Sequence, residues 1–442
     1  MAMALFTFPG GVHPAEKKDL SKNSPIEKMY TPKQLMLYLS QSIGAPSELI
    51  VEVGQRVKTG QQIARNKGII SVPLHSPVTG TVKEIKKVMH PVQQKPMEAV
   101  IIETDEKGEE LDYLTPIEDF SKSSNQELYT RILEAGIVGL GGATFPSHAK
   151  YIESLKKPIE TVILNGAECE PYLTIDYRMM LEKTAEIVEG LKVLMKVSGA
   201  KNGIIGVEDN KPEAIEELRK FETDRIKIIA LKTKYPQGAE KQLIYAATGK
   251  KVSVGAFPFS VGVIMQNVST AFAVYEAVKL GKPLIERGVT ITGEGIKSPK
   301  NVIAKVGTPV QEMIDFSDGF TGEVDKVISG GPMMGLALKD TSSSVMKGTS
   351  GILVMVKPEG KPIPEKPCIN CGYCVFACPM NLEPNYMVKL IKSKQFDKAV
   401  EEAGLMSCME CGSCAYSCPS KIDHVKTFKT AKRVYSALKG RK

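Results

Sequence analysis

Eight of the nine cysteines of this 442-residue chain lie in two runs, Cys368, Cys371, Cys374, Cys378 and Cys408, Cys411, Cys414, Cys418. Each run has the spacing C-x2-C-x2-C-x3-C-P, closing on Pro379 and Pro419. In that pattern three thiolates reach one iron–sulfur cubane, and the fourth, before proline, reaches the other. Two [4Fe-4S] clusters are therefore expected. Cys368, Cys371, Cys374 and Cys418 would hold one, and Cys408, Cys411, Cys414 and Cys378 the other. Structural zinc favours ligand pairs parted by a longer loop. Disulfides need an oxidising compartment. The opening Met1–Phe6 carries neither a basic n-region nor a full apolar h-region, so a reducing cytoplasm is the expected setting.

The second stretch with chemistry in it is Gly139-Leu140-Gly141-Gly142-Ala143-Thr144-Phe145-Pro146. Glycines let backbone approach a ligand closely and leave N–H groups free for phosphate. A helix expected from Ser147 would aim its positive end at the same place. Alone, such a loop also fits a tight packing turn.

The elements that must position these groups change character along the chain. Residues 1–44 read as an irregular arm, with Gly10-Gly11-Val12-His13-Pro14 turn-forming and His13 a lone histidine. From 45 to 110 short β segments punctuated by Gly54, Gly60 and Gly80 suggest a small barrel or sandwich. From 120 to 282 strands and helices alternate: a helix after Ser124-Asn125-Gln126-Glu127, a strand at 161–165, a helix over 178–197, strands at 204–207, 226–230 and 261–265, and a helix from Ser269. That order predicts a mostly parallel sheet covered by helices. A small α+β module is expected over 283–358, an extended proline-bearing linker over 359–367, and a helical ferredoxin domain over 368–442, with one helix from Asn385 to Ala403.

The net charge is +8, and no apolar run is long enough to span a membrane. Lys421, Lys426, Lys429, Lys432, Arg433, Lys439, Arg441 and Lys442 concentrate charge in the tail, a candidate docking surface for an acidic partner or anionic lipid. The second cysteine run, nearest that tail, is the expected exit toward a partner. Nothing resembles a nucleic-acid module, so no nucleic-acid partner is expected.

Several of these segments resemble known families. Residues 45–110 resemble the biotinyl/lipoyl barrel-sandwich hybrid. Lys67 stands near the place of the modified lysine, but the preceding acid is absent and the spacing to Ser76-Pro77 is off by one, so it reads as an ordinary surface lysine. Gly139 to Pro146 with Lys150, then Asn165-Gly166-Ala167-Glu168-Cys169-Glu170-Pro171, Tyr235-Pro236-Gln237-Gly238-Ala239-Glu240 and Asn267-Val268-Ser269-Thr270 resemble the FMN/NADH site of the flavin subunit of respiratory complex I. The module at 283–358 is similar to that family's β-grasp (SLBB) domain. The whole order, from Phe8-Pro9-Gly10-Gly11-Val12-His13-Pro14 to the twin cysteine runs, is closer still to the C-type subunits of Rnf electron transport complexes.

That resemblance implies a barrel-sandwich hybrid, a Rossmann-like α/β flavin domain, the SLBB module and a helical two-cluster ferredoxin domain. It implies FMN, NAD(H) and two [4Fe-4S] clusters, and a peripheral subunit on the cytoplasmic face of a membrane redox complex. Its partners would be the other subunits, ferredoxin indirectly, with electron passage coupled to ion translocation. Gly139, Gly141, Gly142, Lys150, Asn165, Glu168, Gly238, Asn267 and Thr270 match FMN-binding positions, and Phe145, Glu170 and Glu240 match positions contacting the nicotinamide nucleotide. Leu140, Ala167 and Ala239 depart from complex I, and Cys169 reads as a small buried filler. Hydride would pass between nicotinamide and flavin and then single electrons through the clusters, so no catalytic side chain is expected. A soluble diaphorase, a cobalamin reductase, or a scaffold whose flavin loop no longer binds are the competing readings.

Overall fold

A computed structural model describes residues 5–106, 108–152, 154, 159–358 and 363–439. The linker expected over 359–367 thus lies partly outside the described residues, as do Arg441 and Lys442 of the basic tail.

The flavin-like domain is built on four parallel strands in the spatial order Ile226–Leu231, Asn202–Glu208, Thr161–Gly166, Val263–Asn267. The chain fills the first three positions moving one way, then crosses back to place Val263–Asn267 on the other side of Thr161–Gly166. The sheet's reversal point therefore falls between Asn165 and Asn267, which face each other in register. In open α/β sheets ligands bind outside the carboxyl ends of the strands at this point. Apolar faces of Asn125–Glu134, Thr184–Ser198 and Val268–Lys279 cover one side. The Ser124 hydroxyl accepts the Glu127 N–H, capping the first of these helices as its sequence predicts.

The long helix expected over 178–197 is two, Ile175–Glu182 and Thr184–Ser198, broken at Lys183. The break lets the shorter helix leave the sheet and meet the SLBB strands. The helix expected over 385–403 is likewise two, Pro384–Lys392 and Phe396–Glu401, with Lys394 in the left-handed region between them. The helix expected from Ser147 is, among the described residues, one 3-10 turn, His148–Tyr151. That is too short for a helix dipole to contribute appreciably to anion binding.

The amino-terminal arm is less irregular than its glycines and prolines suggest. Ile26–Lys28 adds a parallel edge strand to the six-stranded SLBB sheet, and Gln34–Tyr38 pairs with Pro96–Thr104 in the barrel. Neither is long enough to show a period in sequence; both are strands only because a partner edge awaits them. In the barrel, Gly80–Met89 and Pro96–Thr104 form the principal hairpin. Lys67 is exposed in the 66–68 turn. The ferredoxin domain has helices Tyr373–Phe376, Pro384–Lys392, Phe396–Glu401, Ser413–Tyr416 and His424–Lys439, and no strand among its described residues.

Lys347 lies where barrel, flavin domain and SLBB module meet. It is 1% exposed, and its ammonium donates to the carbonyls of Pro73 and Gly136 at 3.1 and 2.8 Å. Burial pushes it down from 10.5 to about 7. Between those values the unfolded chain holds a proton that the folded chain has released, so stability rises with pH, by up to about 1.4 kcal/mol per unit. Unfolding titrations from pH 7 to 10 are expected to show this slope in the wild type and a flatter one in Lys347→Met.

Candidate functional site

The glycine-rich loop closes on itself. Gly139 N–H donates to the Phe145 carbonyl at 2.9 Å, and Val138 and Pro146 form a bridge, so residues 140–144 project as one turn. Its base is fixed on two sides. Leu140 N–H donates to the Thr270 hydroxyl at 2.8 Å, and the Leu140 carbonyl accepts from the Arg287 guanidinium at 2.6 Å. Arg287, buried in the SLBB module, also donates to the Thr349 carbonyl at 3.1 Å. The turn's outer face is exposed at Gly141, Gly142 and Ala143. The amides of Gly141 and Gly142 find no acceptor among the described residues. Gly142 has φ +104°, and a Cβ there would meet nothing within 4 Å. An open cradle with free amides suits a phosphate-bearing ligand.

The loop lies against the reversal point of the sheet. Gly141 faces the Asn267 side chain, which caps Val268–Lys279 by accepting Ser269 N–H at 2.8 Å and donates to Asp176 at 2.6 Å. Beside it, the Asn165 amide donates to the Gly238 carbonyl at 2.8 Å while its oxygen accepts Ala167 N–H at 3.0 Å. A Cβ on Gly238 would stand 3.1 Å from that amide, close enough to push the Asn165 side chain aside, so glycine favours the close approach of the 235–240 segment. Lys150 reaches across to Glu240 at 2.9 Å and to the Met265 carbonyl at 2.8 Å. Phe145 is half-buried at the edge of the turn. Gly139, Gly141, Gly142, Phe145, Lys150, Asn165, Gly238, Glu240, Asn267 and Thr270 are thereby brought to one place.

Glu168 and Glu170 are held differently. Glu168 accepts Asp176 N–H at 2.7 Å and so caps Ile175–Glu182, and burial, opposed by Lys18, pushes its carboxyl up to about 7. Glu170 spends both oxygens on the SLBB loop, accepting Met333 N–H at 3.0 Å and Met334 N–H at 2.8 Å. A Cβ on Gly331 would collide with that carboxylate, which explains a glycine at this point. Glu170 thus joins two domains.

Lys18 and Arg287 were invisible to sequence reasoning, and Tyr235 entered it only as the first residue of a segment resembling the flavin site. Lys18 of the arm is buried and donates to the carbonyls of Glu168, Glu170 and Leu173, with its ammonium 3.9 Å from the Glu168 carboxylate. It holds the loop after Thr161–Gly166 from below. No periodicity marks a lysine bound to backbone 150 residues away.

The eight thiols surround two hollows. One is lined by Cys378, Cys408, Cys411 and Cys414, the other by Cys368, Cys371, Cys374 and Cys418, so the fourth thiol of each run stands with the first three of the other. Among the described residues no group of three or more His, Cys, Asp or Glu is placed to hold a lone metal ion. Four thiols round a wider space suit a four-iron cube.

The two hollows are not equivalent. Tyr235 OH donates to the Cys411 carbonyl at 2.8 Å, and Gln242 of the flavin domain donates to the Pro379 carbonyl at 3.1 Å. The Cys378/Cys408/Cys411/Cys414 set therefore abuts the flavin domain. In the other set Cys368 and Cys371 are exposed, flanked by Ile369 and Phe376 at 65% and 79% exposure. This reverses the expectation that the second run faces outward. The basic tail is also partly consumed. Lys432 donates to the Cys408 carbonyl at 2.6 Å and to Glu410 at 2.8 Å, and Lys439 pairs with Asp397 at 3.2 Å. Cys169, expected as a buried filler, is only partly buried; it accepts Gly238 N–H at 3.3 Å, and desolvation pushes its thiol up to about 12.

Four family models match the chain: the RnfC barrel sandwich hybrid domain over 6–107, the Nuo51 FMN-binding domain over 132–276, the SLBB domain over 289–337 and the 4Fe-4S dicluster domain over 367–423. The chain is 43% identical over 403 residues to the C subunit of the proton-translocating ferredoxin:NAD(+) oxidoreductase complex of Clostridium ljungdahlii, covering 91% of this chain and 88% of that protein. It is 42% identical to the C subunit of the Na(+)-translocating ferredoxin:NAD(+) oxidoreductase complex of Acetobacterium woodii, covering 89% of each. It is 39% identical to the C subunit of the ion-translocating oxidoreductase complex of Rhodobacter capsulatus, covering 99% of this chain and 85% of that protein. A solved NAD+-reducing [NiFe]-hydrogenase in the air-oxidized state matches with TM-score 0.50 at 16% identity, over 71% of this chain and 63%, less than two thirds, of that chain. That likeness concerns the fold.

Proposed function

This chain belongs to the RnfC family, the C subunits of ion-translocating ferredoxin:NAD(+) oxidoreductase (Rnf) complexes, and from that premise we propose how its residues divide the work. It is an oxidoreductase component of an assembly of several subunits acting on ferredoxin and NAD, with FMN and two [4Fe-4S] clusters as cofactors. FMN, when bound, converts between the two-electron chemistry of NAD(H) and the one-electron chemistry of the clusters.

The observation that carries the reading is spatial. The glycine cradle, Asn165, Asn267 and Gly238 meet at the reversal point of the sheet, and one cysteine set is fastened beside it through Tyr235. In the proposed arrangement the free amides of Gly141 and Gly142 hold the flavin phosphate, with Gly139 and Thr270 fixing the loop beneath them. Lys150 supplies positive charge to the cleft. Asn165, Gly238 and Asn267 form its floor, and Glu168 keeps the adjoining loop in place by capping Ile175–Glu182. Phe145 flanks the nicotinamide. Glu240 is available to nucleotide hydroxyls only by sharing with Lys150, and Glu170 acts by positioning the SLBB loop at the cleft's edge. Cys378, Cys408, Cys411 and Cys414 would hold the cluster on the flavin-domain side, and Cys368, Cys371, Cys374 and Cys418 the one nearer the surface, each supplying one-electron transfer when bound.

The domain limits proposed are 45–110, 120–282, 283–358 and 368–442, with Gln34–Tyr38 and Ile26–Lys28 of the arm contributing strands to the barrel and the SLBB sheet. No helix among the described residues is long and apolar enough to cross a membrane. The proposed place is peripheral, on the cytoplasmic face, where reduced thiols and NAD(H) are available. Anaerobic addition of NADH to the reconstituted protein should bleach the flavin and then reduce both clusters. A protein that retains stoichiometric FMN yet does not bleach would refute the reading.

A further inference from the structure

Tyr235 is 1% exposed, and its two ends serve different domains. Its backbone pairs with Val12 of the arm in both directions, at 2.8 and 2.9 Å. Its hydroxyl donates to the carbonyl of Cys411, a cluster ligand, at 2.8 Å. Three residues on, Gly238 is the close-approach point against Asn165 in the flavin cleft. The arm completes the junction. Gly11 N–H donates to the Ala377 carbonyl at 3.0 Å. A Cβ on Gly10 would stand 2.7 Å from the Cys378 carbonyl, and one on Gly11 2.7 Å from the Tyr235 carbonyl. Lys234 ties the same turn down, donating to the Gly10 carbonyl at 2.9 Å and lying 3.9 Å over the Phe8 ring. The pair of glycines is thus explained by a backbone squeezed between the flavin domain and the cluster loop.

Packing alone asks only for a ring at 235. A buried phenol whose hydroxyl ends on a ligand's carbonyl does more, because it fixes the orientation of the Cys411 peptide. Peptide dipoles and hydrogen bonds around a cluster tune its potential, and groups beyond the ligands orient them.

We propose that Tyr235, clamped by Gly10–Val12, is the positioning residue that sets the location and potential of the Cys378/Cys408/Cys411/Cys414 cluster relative to the flavin cleft. The proposal rests on the functional reading above. Each transfer across this junction would move one electron from reduced flavin to an oxidised cluster with no bond broken at the cluster; two transfers return the flavin to its oxidised form and its two N–H protons pass to water.

The test uses the full chain reconstituted with FMN and both clusters, as wild type, Tyr235→Phe and Gly10→Ala. EPR spectra and redox titrations of dithionite-reduced protein report on the clusters without NADH. The expected result is a changed spectrum and shifted midpoint for the cluster whose signal Cys378→Ala removes, with the other cluster unaltered. Flavin-to-cluster transfer should slow about tenfold in Tyr235→Phe, while NADH-to-flavin reduction stays within twofold of wild type. Unchanged cluster spectra and midpoints in both variants overturn the proposal, as does a Tyr235→Phe defect confined to NADH-to-flavin reduction. If wild type itself fails to bleach with NADH, the functional reading fails, while the dithionite spectra still decide the role of Tyr235.

Discussion

Gly142→Glu is expected to strip FMN from the protein and leave its iron content untouched. Position 142 lies on the exposed crown of the turn, with φ +104° and open space where a side chain would begin. A glutamate there meets no protein atom at its Cβ, so the fold survives at a cost of about 1–3 kcal/mol of backbone strain. Its carboxylate, however, stands where the proposed phosphate must sit. Repulsion and occlusion together should weaken flavin binding by at least about 100-fold, equivalent to about 2.7 kcal/mol. Gly142→Ala carries the backbone strain without the charge and should retain most of the affinity. Equilibrium titration with FMN, alongside cluster absorbance, reads the difference. Normal flavin binding by the glutamate variant would show that the cradle faces something else.

The second large effect concerns ligand crossover. Cys378→Ala and Cys408→Ala lie 30 positions apart in different runs, yet they should destroy the same cluster. Cys418→Ala and Cys368→Ala should destroy the other. Each variant should lower the iron content from about eight to about four per chain. Because the Cys378 set abuts the flavin domain, its loss should also sever cluster reduction by NADH while flavin bleaching continues. Loss of the Cys418 set should leave the first transfer intact. Iron analysis and EPR of the four variants distinguish this from a pairing in which each run keeps its own cluster.

The clusters were the most legible part of the molecule because ligand spacing is a local property. Thiols two residues apart on a short turn meet one cubane whatever surrounds them, and proline after the fourth sends it elsewhere. The parallel sheet was legible for a similar reason, since apolar runs alternating with amphipathic helices admit few topologies. Misjudged elements were those decided by contact. The breaks at Lys183 and Lys394 interrupt stretches whose apolar spacing is continuous, and Ile26–Lys28 is a strand only because Lys300–Lys305 offers an edge.

The direction of the relay belongs to the second kind. From sequence, the run nearest the basic tail was the natural exit, since exposed charge draws partners. The tertiary structure turns that run inward: Lys432 is spent on Cys408 and Glu410, Tyr235 closes on Cys411, and Cys368 and Cys371 are left at the surface. Glu170 repeats the lesson, for it matched a nucleotide-contacting position in sequence and is consumed in joining domains. By itself the sequence indicated which thiols stand together, where the glycine turn lies and the order of the domains, because spacing and periodicity act over a few residues. Only the tertiary structure decided which cysteine set abuts the flavin domain and which carboxylates stay free, because those depend on surfaces brought together from opposite ends of the chain.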